Sequence, residues 1–200
     1  MIFKKNFFNL SLISIFFFLF IQKSFSLEPS EFVQLTVNKA SSALSSSFTK
    51  EEKIKKLRKI AKESVDIKGL GFYTLGSYRK TISSSEKEKY LTLFEQYFLK
   101  SFADRLTEYT DPKVKVVSSK KINEKYTIVS SILIATEKRP EVKIDWRVYT
   151  KSSENPLIRD LIIEGLSLAR TQKEEFSSII QSNDGDIKAL FLSLEKFIEK

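Results

Sequence analysis

The chain has no cysteine and no histidine. Without cysteine it forms no disulfide, and it lacks the residue on which a bacterial lipoprotein carries its lipid anchor. With both types missing, the usual zinc and copper ligands are gone. So are the Ser-His and Cys-His pairs of nucleophilic catalysis. No phosphate-cradling loop and no metal-ligand spacing occurs in the sequence. Glycine (five) and proline (four) are scarce, and no low-complexity linker or internal repeat divides the chain. No nucleic-acid-binding motif is recognisable, so a basic composition does not by itself point to that class.

What is present first is an N-terminal segment in three parts. Lys4 and Lys5 precede an apolar run from Phe7 to Ile21, broken by Asn9, Ser11 and Ser14, and Ser24-Phe25-Ser26 places small residues at the −3 and −1 positions of a cleavage site. This is the layout of a secretory signal peptide. An uncleaved anchor is the alternative, but the run is shorter than the ~20 residues that span a bilayer. The expectation is export, with residues 1–26 removed and residues 27–200 forming a single domain. Removing Lys4, Lys5 and Lys23, with no acid in that segment, lowers the formal charge from +9 to +6. The remaining excess is mostly lysine interleaved with Glu and Asp, which reads as a solvated surface.

Residues 30–44 carry Val33, Val37, Ala40 and Leu44 at helical spacing. Thr49 and Glu52 then form a capping box before a basic helix whose apolar side is Ile54, Leu57, Ile60 and Ala61. Residues 66–79 mix apolar groups with Gly69, Gly71 and Gly76, which implies either close backbone packing or a flexible lid. Ser83 to Tyr109 is the longest helical pattern, with a capping box at Ser85 and Glu88. Its aromatic-rich face (Tyr90, Phe94, Tyr97, Phe98, Phe102) serves equally as core or as the wall of an apolar cavity. Asp111-Pro112 ends that helix. Strands follow at Val114–Val117 and Tyr126–Thr136, with a turn around Asn123 between them. Val142–Tyr149 alternates in period two, and Leu157–Ile163 is more continuously apolar. The Lys151–Pro156 loop joins these two into a hairpin. After Gly165 a helix runs to Ser182, and a last one spans Ile187–Ile198. The pattern predicts an α+β fold: a four-stranded curved antiparallel meander, with helices before and after it stacked on one face and enclosing an apolar cavity.

Several spaced segments carry a resemblance. They are the I-D-x-R strand at Ile144–Arg147, the I-E-G-x-S-L run at Ile163–Leu168, Leu75–Arg79, Leu93–Phe98, and Leu106–Tyr109. Over nearly all of residues 30–198 the chain resembles the MlaC (toluene-tolerance) family of periplasmic phospholipid-binding proteins. The resemblance implies a soluble, monomeric periplasmic carrier with phospholipid as cargo and no cofactor. Such a carrier shuttles lipid between an outer-membrane lipoprotein complex and an inner-membrane ABC transporter complex with a membrane-anchored substrate-binding subunit, and so maintains outer-membrane asymmetry. Tails would lie between sheet and helices. The residues expected to meet them are Phe94, Phe98 and Phe102 from the long helix, and Ile144, Trp146, Val148, Leu161 and Ile163 from the sheet. Tyr78 and Arg79 are assigned to the mouth. Each of these residues also fits plain core. The sequence departs from the family at Asn155–Arg159, where a Trp and a Tyr are usual, and at Gln172 and Lys173, where Tyr-Arg is usual.

Two other classes remain open on the residues alone. A cavity enzyme would use Asp145 or Asp160 as base and Tyr78, Tyr90, Tyr97 or Tyr126 as hydroxyl donor. A ligand-free adaptor would have a filled core.

Overall fold

A computed structural model describes residues 27–137, 139–151 and 155–200. The expected signal segment, residues 1–26, and the middle of the expected Lys151–Pro156 loop, residues 152–154, lie outside the described residues.

Six α-helices and five strands follow in order among the described residues. They are α1 (Pro29–Ser45), α2 (Lys50–Ser64), α3 (Ile67–Thr74), α4 (Ser84–Leu106), β1 (Val114–Asn123), β2 (Tyr126–Leu133), β3 (Val142–Tyr149), β4 (Leu157–Ile163), β5 (Leu166–Ser167), α5 (Leu168–Gln181) and α6 (Ile187–Glu199). The sheet order is β1-β2-β3-β4-β5, with every neighbouring pair antiparallel. The expected α+β class and curved meander are found, with one strand more than expected.

The fifth strand arises from a turn. Glu164 and Gly165 both have positive φ, 49° and 83°, the conformation of a two-residue type I′ hairpin. The chain therefore folds back on β4, pairing Ile162 with Ser167 and Ile163 with Leu166, before Ser167 caps α5 through Arg170 N–H. Strand β1 is also longer than the pattern implied. Its polar second half pairs with β2 as far as Asn123–Tyr126, because ladder hydrogen bonds need no apolar side chain.

Helix starts follow local chemistry. Thr49 and Glu52 make the expected reciprocal capping box. On α4 the box is made by Ser83 and Glu86 instead of Ser85 and Glu88. Two serine–glutamate pairs have the same spacing, and the helix starts on the earlier one. Gly71 answers one question about the glycines. A Cβ there would lie 3.0 Å from both Leu91 Cδ2 and Phe94 Cδ1, so α3 and α4 approach closely at this point.

The sheet presents two distinct faces. Thr127, Val129, Ser131 and Leu133 of β2 are buried, and by register they share a face with Val114 and Val116, with Ile144, Trp146 and Val148, and with Leu161 and Ile163. Helix α1 lies on this inner face through Phe32, Val33 and Val37. Helices α3 and α5 reach the sheet at β4, whereas α4 packs chiefly on α2, α3 and α6.

Candidate functional site

The interior is divided. One apolar cluster holds α3 to α6 together around Tyr90, Phe94, Phe176, Ile180, Leu190 and Leu194. A second joins α1 to the sheet around Val33, Val129, Val148 and Ile158. A third, small one joins α1, α2 and α4 at Leu44, Leu57 and Ala103. A domain of this size more often has one contiguous core. Here the sheet side and the long-helix side are separate bodies of packing, and half-buried Val65 touches both.

The residues singled out from the sequence distribute over this divided interior in graded fashion. Along α4, Tyr90, Phe94, Phe98 and Phe102 form a continuous ladder, with successive ring centroids 5.8, 6.2 and 5.9 Å apart. Tyr90 and Phe94 are core of the helix-side cluster, while Phe98 and Phe102 are half-buried at the borders of the first and third clusters. On the sheet, Val148 has no exposed surface, and Trp146 and Leu161 border that cluster, half-buried. Ile144 and Ile163 face each other across β3 and β4. They are half-buried and belong to none of the three clusters. Tyr78 packs against the helix-side cluster. Arg79 is exposed, and its Nη1 donates to the Phe72 carbonyl at 3.4 Å. Trp146 Nε1 donates to Ser131 Oγ at 2.8 Å, and Ser131 donates to the Ile144 carbonyl, which fixes the indole against the inner face.

Two pockets stand out in this structure, and neither is lined by those ten residues. One, about 620 Å³, opens between α4, α5 and α6 around Tyr97, Phe176, Ile179 and Phe197. The other, about 460 Å³, opens beside Pro29, Thr127 and Lys151. The half-buried members of the ten lie instead along the seam between the clusters, at cluster borders or, for Ile144 and Ile163, outside all three.

Of the groups offered for acid–base chemistry, Asp160, Tyr90, Tyr97 and Tyr126 have structural partners. Asp160 is 4% exposed. Its Oδ2 accepts from Ser167 Oγ at 2.7 Å and its Oδ1 from the Ala169 N–H at 3.0 Å, which pins the first turn of α5 to β4. A β-bulge explains its orientation: Arg147 faces Asp160 and Val148 faces Ile158, so Arg159 is an extra residue and the side-chain alternation of β4 resets. Asp145 pairs with Ile162, not with Asp160, so the two carboxylates are not direct cross-strand neighbours.

Arg159 is the residue that sequence reasoning missed. Its Nε donates to Asp66 Oδ2 at 2.6 Å and its Nη1 to the Tyr126 hydroxyl at 2.8 Å, and its guanidinium lies 3.7 Å from the Tyr149 ring centroid. Asp66 Oδ1 meanwhile accepts the Gly69 N–H and caps α3. One half-buried cation thus ties α3 to three strands. A signal was available locally, since Asp66 stands where a helix N-cap belongs. Its partner 93 residues away had none.

The buried phenols behave alike. Thr74 Oγ1 lies 2.7 Å from the Tyr90 hydroxyl and also within reach of the Leu70 and Gly71 carbonyls. The threonine proton therefore goes to the backbone, and Tyr90 donates. Tyr97 donates to Gln172 Oε1 at 2.8 Å. Burial raises both phenols above the ordinary tyrosine range, and the nearby Glu175 adds to the rise at Tyr97. An acid held neutral by the fold leaves stability intact below its unfolded pKa of about 10 and costs stability as pH climbs beyond it. The urea midpoint is therefore expected to stay level up to pH ~10 and to fall above it. A Tyr90→Phe, Tyr97→Phe double variant should flatten that alkaline decline, and an unchanged decline would show that other groups cause it.

A family model described as MlaC protein matches residues 33–196. The chain belongs to the MlaC family. Among curated relatives, it is 26% identical over 125 residues to the intermembrane phospholipid transport system binding protein MlaC of Haemophilus influenzae. That match takes in 61% of this chain and 58% of the relative's length. Among solved structures, a phospholipid-binding protein from Ralstonia solanacearum, in complex with a phospholipid, superimposes with a TM-score of 0.71 at 16% identity. The superposition covers 85% of this chain and 96% of the other, so the whole MlaC-type fold is present. No helix among the described residues is long and apolar enough to cross a membrane, and no cluster of metal-ligating side chains occurs among them.

Proposed function

We propose that this MlaC-family protein is a soluble periplasmic phospholipid carrier. It is exported by residues 1–26 and works as a monomer over residues 27–200. The observation that carries the reading is the divided core. Acyl chains need an apolar space that opens without unfolding the protein, and two bodies of packing that share few side chains separate at lower cost than one contiguous core. The half-buried Phe98, Phe102, Ile144, Trp146, Leu161 and Ile163 are the groups that would exchange their present surroundings for contacts with lipid. Val148 and Phe94 back them from the two cores, and Tyr78 and Arg79 stand at the mouth. The family membership and the phospholipid held by the structural relative support the same ligand class.

The energetics fit a shuttle. A diacyl lipid carries on the order of 30 methylenes, and at ~0.8 kcal/mol for each, exposing its tails to water costs roughly 25 kcal/mol. A carrier offsets most of that cost and no more, or it would not release. Transfer is then nearly isoenergetic, and the partners at each end set its direction: an outer-membrane lipoprotein complex and an inner-membrane ABC transporter complex with its membrane-anchored substrate-binding subunit. The engagement of Asp160 with Ser167 and Ala169, and of three of the four tyrosines named above, weighs against an acid–base role for those groups.

Full-length protein expressed in a Gram-negative host and purified from the periplasm without detergent should show, by native mass spectrometry, a mass beginning at Leu27 and about one phospholipid per chain. A protein that arrives empty, and stays empty after mixing with vesicles, would overturn the carrier reading. An intact N-terminus would overturn cleavage alone.

A further inference from the structure

The outer face of β1, β2 and β3, opposite the face on which α1 packs, carries a registered set of cations. Across β1, β2 and β3 the rows read Lys115–Ile132–Lys143 and Lys120–Ile128–Arg147. The four cations are exposed, and the two isoleucines between them are half-buried. Strand spacing and rise place the four at the corners of a patch on the order of 10 Å by 13 Å. Among the described residues, none of the four has a carboxylate at ion-pair distance. Three acids border them. Asp145 is half-buried on the row between, paired with Ser130. Asp160 is buried and held by Ser167 and Ala169. Glu164 accepts the Lys143 backbone N–H. The net charge of the face stays positive.

We infer that this face docks on an anionic bilayer surface. Charge complementarity selects an anionic occupant, and composition selects a bilayer over a protein. Stable protein interfaces centre on aromatic anchors and exclude lysine from the middle. Its four cations enclose only isoleucines, and the aromatic pair on the next row, Tyr126 and Tyr149, is already engaged by Arg159. Such a surface makes no fixed jigsaw contact, but it suits a fluid layer whose anionic headgroups gather under each charge. The contact is weak and reversible, and salt weakens it. The inference goes beyond the carrier reading and does not depend on what the seam binds. It gives the inner face to cargo and the outer face to membrane approach.

The test is sedimentation of the protein with vesicles of phosphatidylcholine doped with phosphatidylglycerol, at low and at high salt. Wild-type protein should bind the doped vesicles at low salt, and should release at high salt or from pure phosphatidylcholine. Each charge removed should weaken partitioning about fivefold, so a Lys115→Gln, Lys120→Gln, Lys143→Gln, Arg147→Gln variant should lose about a hundredfold or more while keeping its circular dichroism. A Lys115→Arg, Lys120→Arg, Lys143→Arg variant should retain binding. Neutralising Lys55, Lys56 and Lys59, which lie exposed on α2, should matter far less. Equal loss in that α2 variant would reduce the effect to net charge and overturn the inference. No vesicle binding by wild type would overturn it too, and capture by polyglutamate in that case would turn the face over to an acidic protein partner.

Discussion

Ile163→Asp is expected to abolish phospholipid carriage and to leave the protein folded. The reason is the graded burial of the inner face. Ile163 pairs with Ile144 across β3 and β4, is half-buried, and lies outside the three packed clusters. A carboxylate at that position keeps part of its hydration in the empty protein. It must give that up when an acyl chain lies against it, and an unpaired buried carboxylate costs several kcal/mol even after its protonation shifts. A loss of about 3 kcal/mol corresponds to roughly a hundredfold in affinity, so co-purified lipid should fall below detection by native mass spectrometry. Thermal unfolding should move by only a few degrees. Phe98→Asp, at the half-buried border of the helix-side cluster on α4, should behave the same way. Val148→Asp is the contrast: with no exposed surface and a place in the sheet-side cluster, it should fail to fold. If Ile163→Asp unfolds as readily as Val148→Asp, the seam is ordinary core and its residues are not a lipid wall.

Asp160→Ala is expected to lower stability by about 3 kcal/mol. The change removes a buried carboxylate that accepts two hydrogen bonds, from Ser167 Oγ and from the Ala169 N–H. It leaves a buried helix-start amide without an acceptor. Hydrogen bonds to charged groups contribute about 1.5–3 kcal/mol each, and an orphaned buried donor costs about 1–3 kcal/mol. The position at the start of α5 adds the attraction between a carboxylate and the positive end of the helix. For a domain of this size, 3 kcal/mol lowers the melting temperature by roughly 6–12 °C. Asp160→Asn keeps one acceptor and the shape, so it should lose about half as much. Differential scanning calorimetry reads both. If Asp160→Ala melts with the wild type while lipid-linked activity disappears, Asp160 does chemistry and not anchoring, and the carrier reading would need an enzymatic component.

The parts of the fold that were legible in the sequence rest on short-range chemistry. Thr49 and Glu52 cap a helix because their atoms are three residues apart. The aromatic side of α4 shows because residues at i and i+4 share a helix face, where their rings stack. The β3–β4 hairpin shows because β3 alternates in period two and only a short loop separates it from the apolar run of β4. Elements with weak local signals were misjudged or missed. Strand β5 has two residues, too few for any periodicity. The polar half of β1 is a strand because β2 is beside it. The α4 cap had two equal candidates, Ser83–Glu86 and Ser85–Glu88, and the sequence held no way to rank them.

The site divides along the same line. The alternation of β3 put Ile144, Trp146 and Val148 on one face, and the register agrees. It did not rank them by burial. Val148 is core because it packs in one cluster with Phe32, Val33 and Val37 of α1, whereas Ile144 lies outside all three clusters and is half-buried. The Arg159–Asp66 tie, the reset of β4 at its bulge and the cation rows of the outer face each join residues far apart in the chain. Sequence alone determined the residue types, the helix starts and the alternation, since those interactions act within a few residues. The tertiary structure decided which apolar residues are core and which are half-exposed wall, and which charges stand together, because burial and register depend on neighbours the chain reaches only when folded.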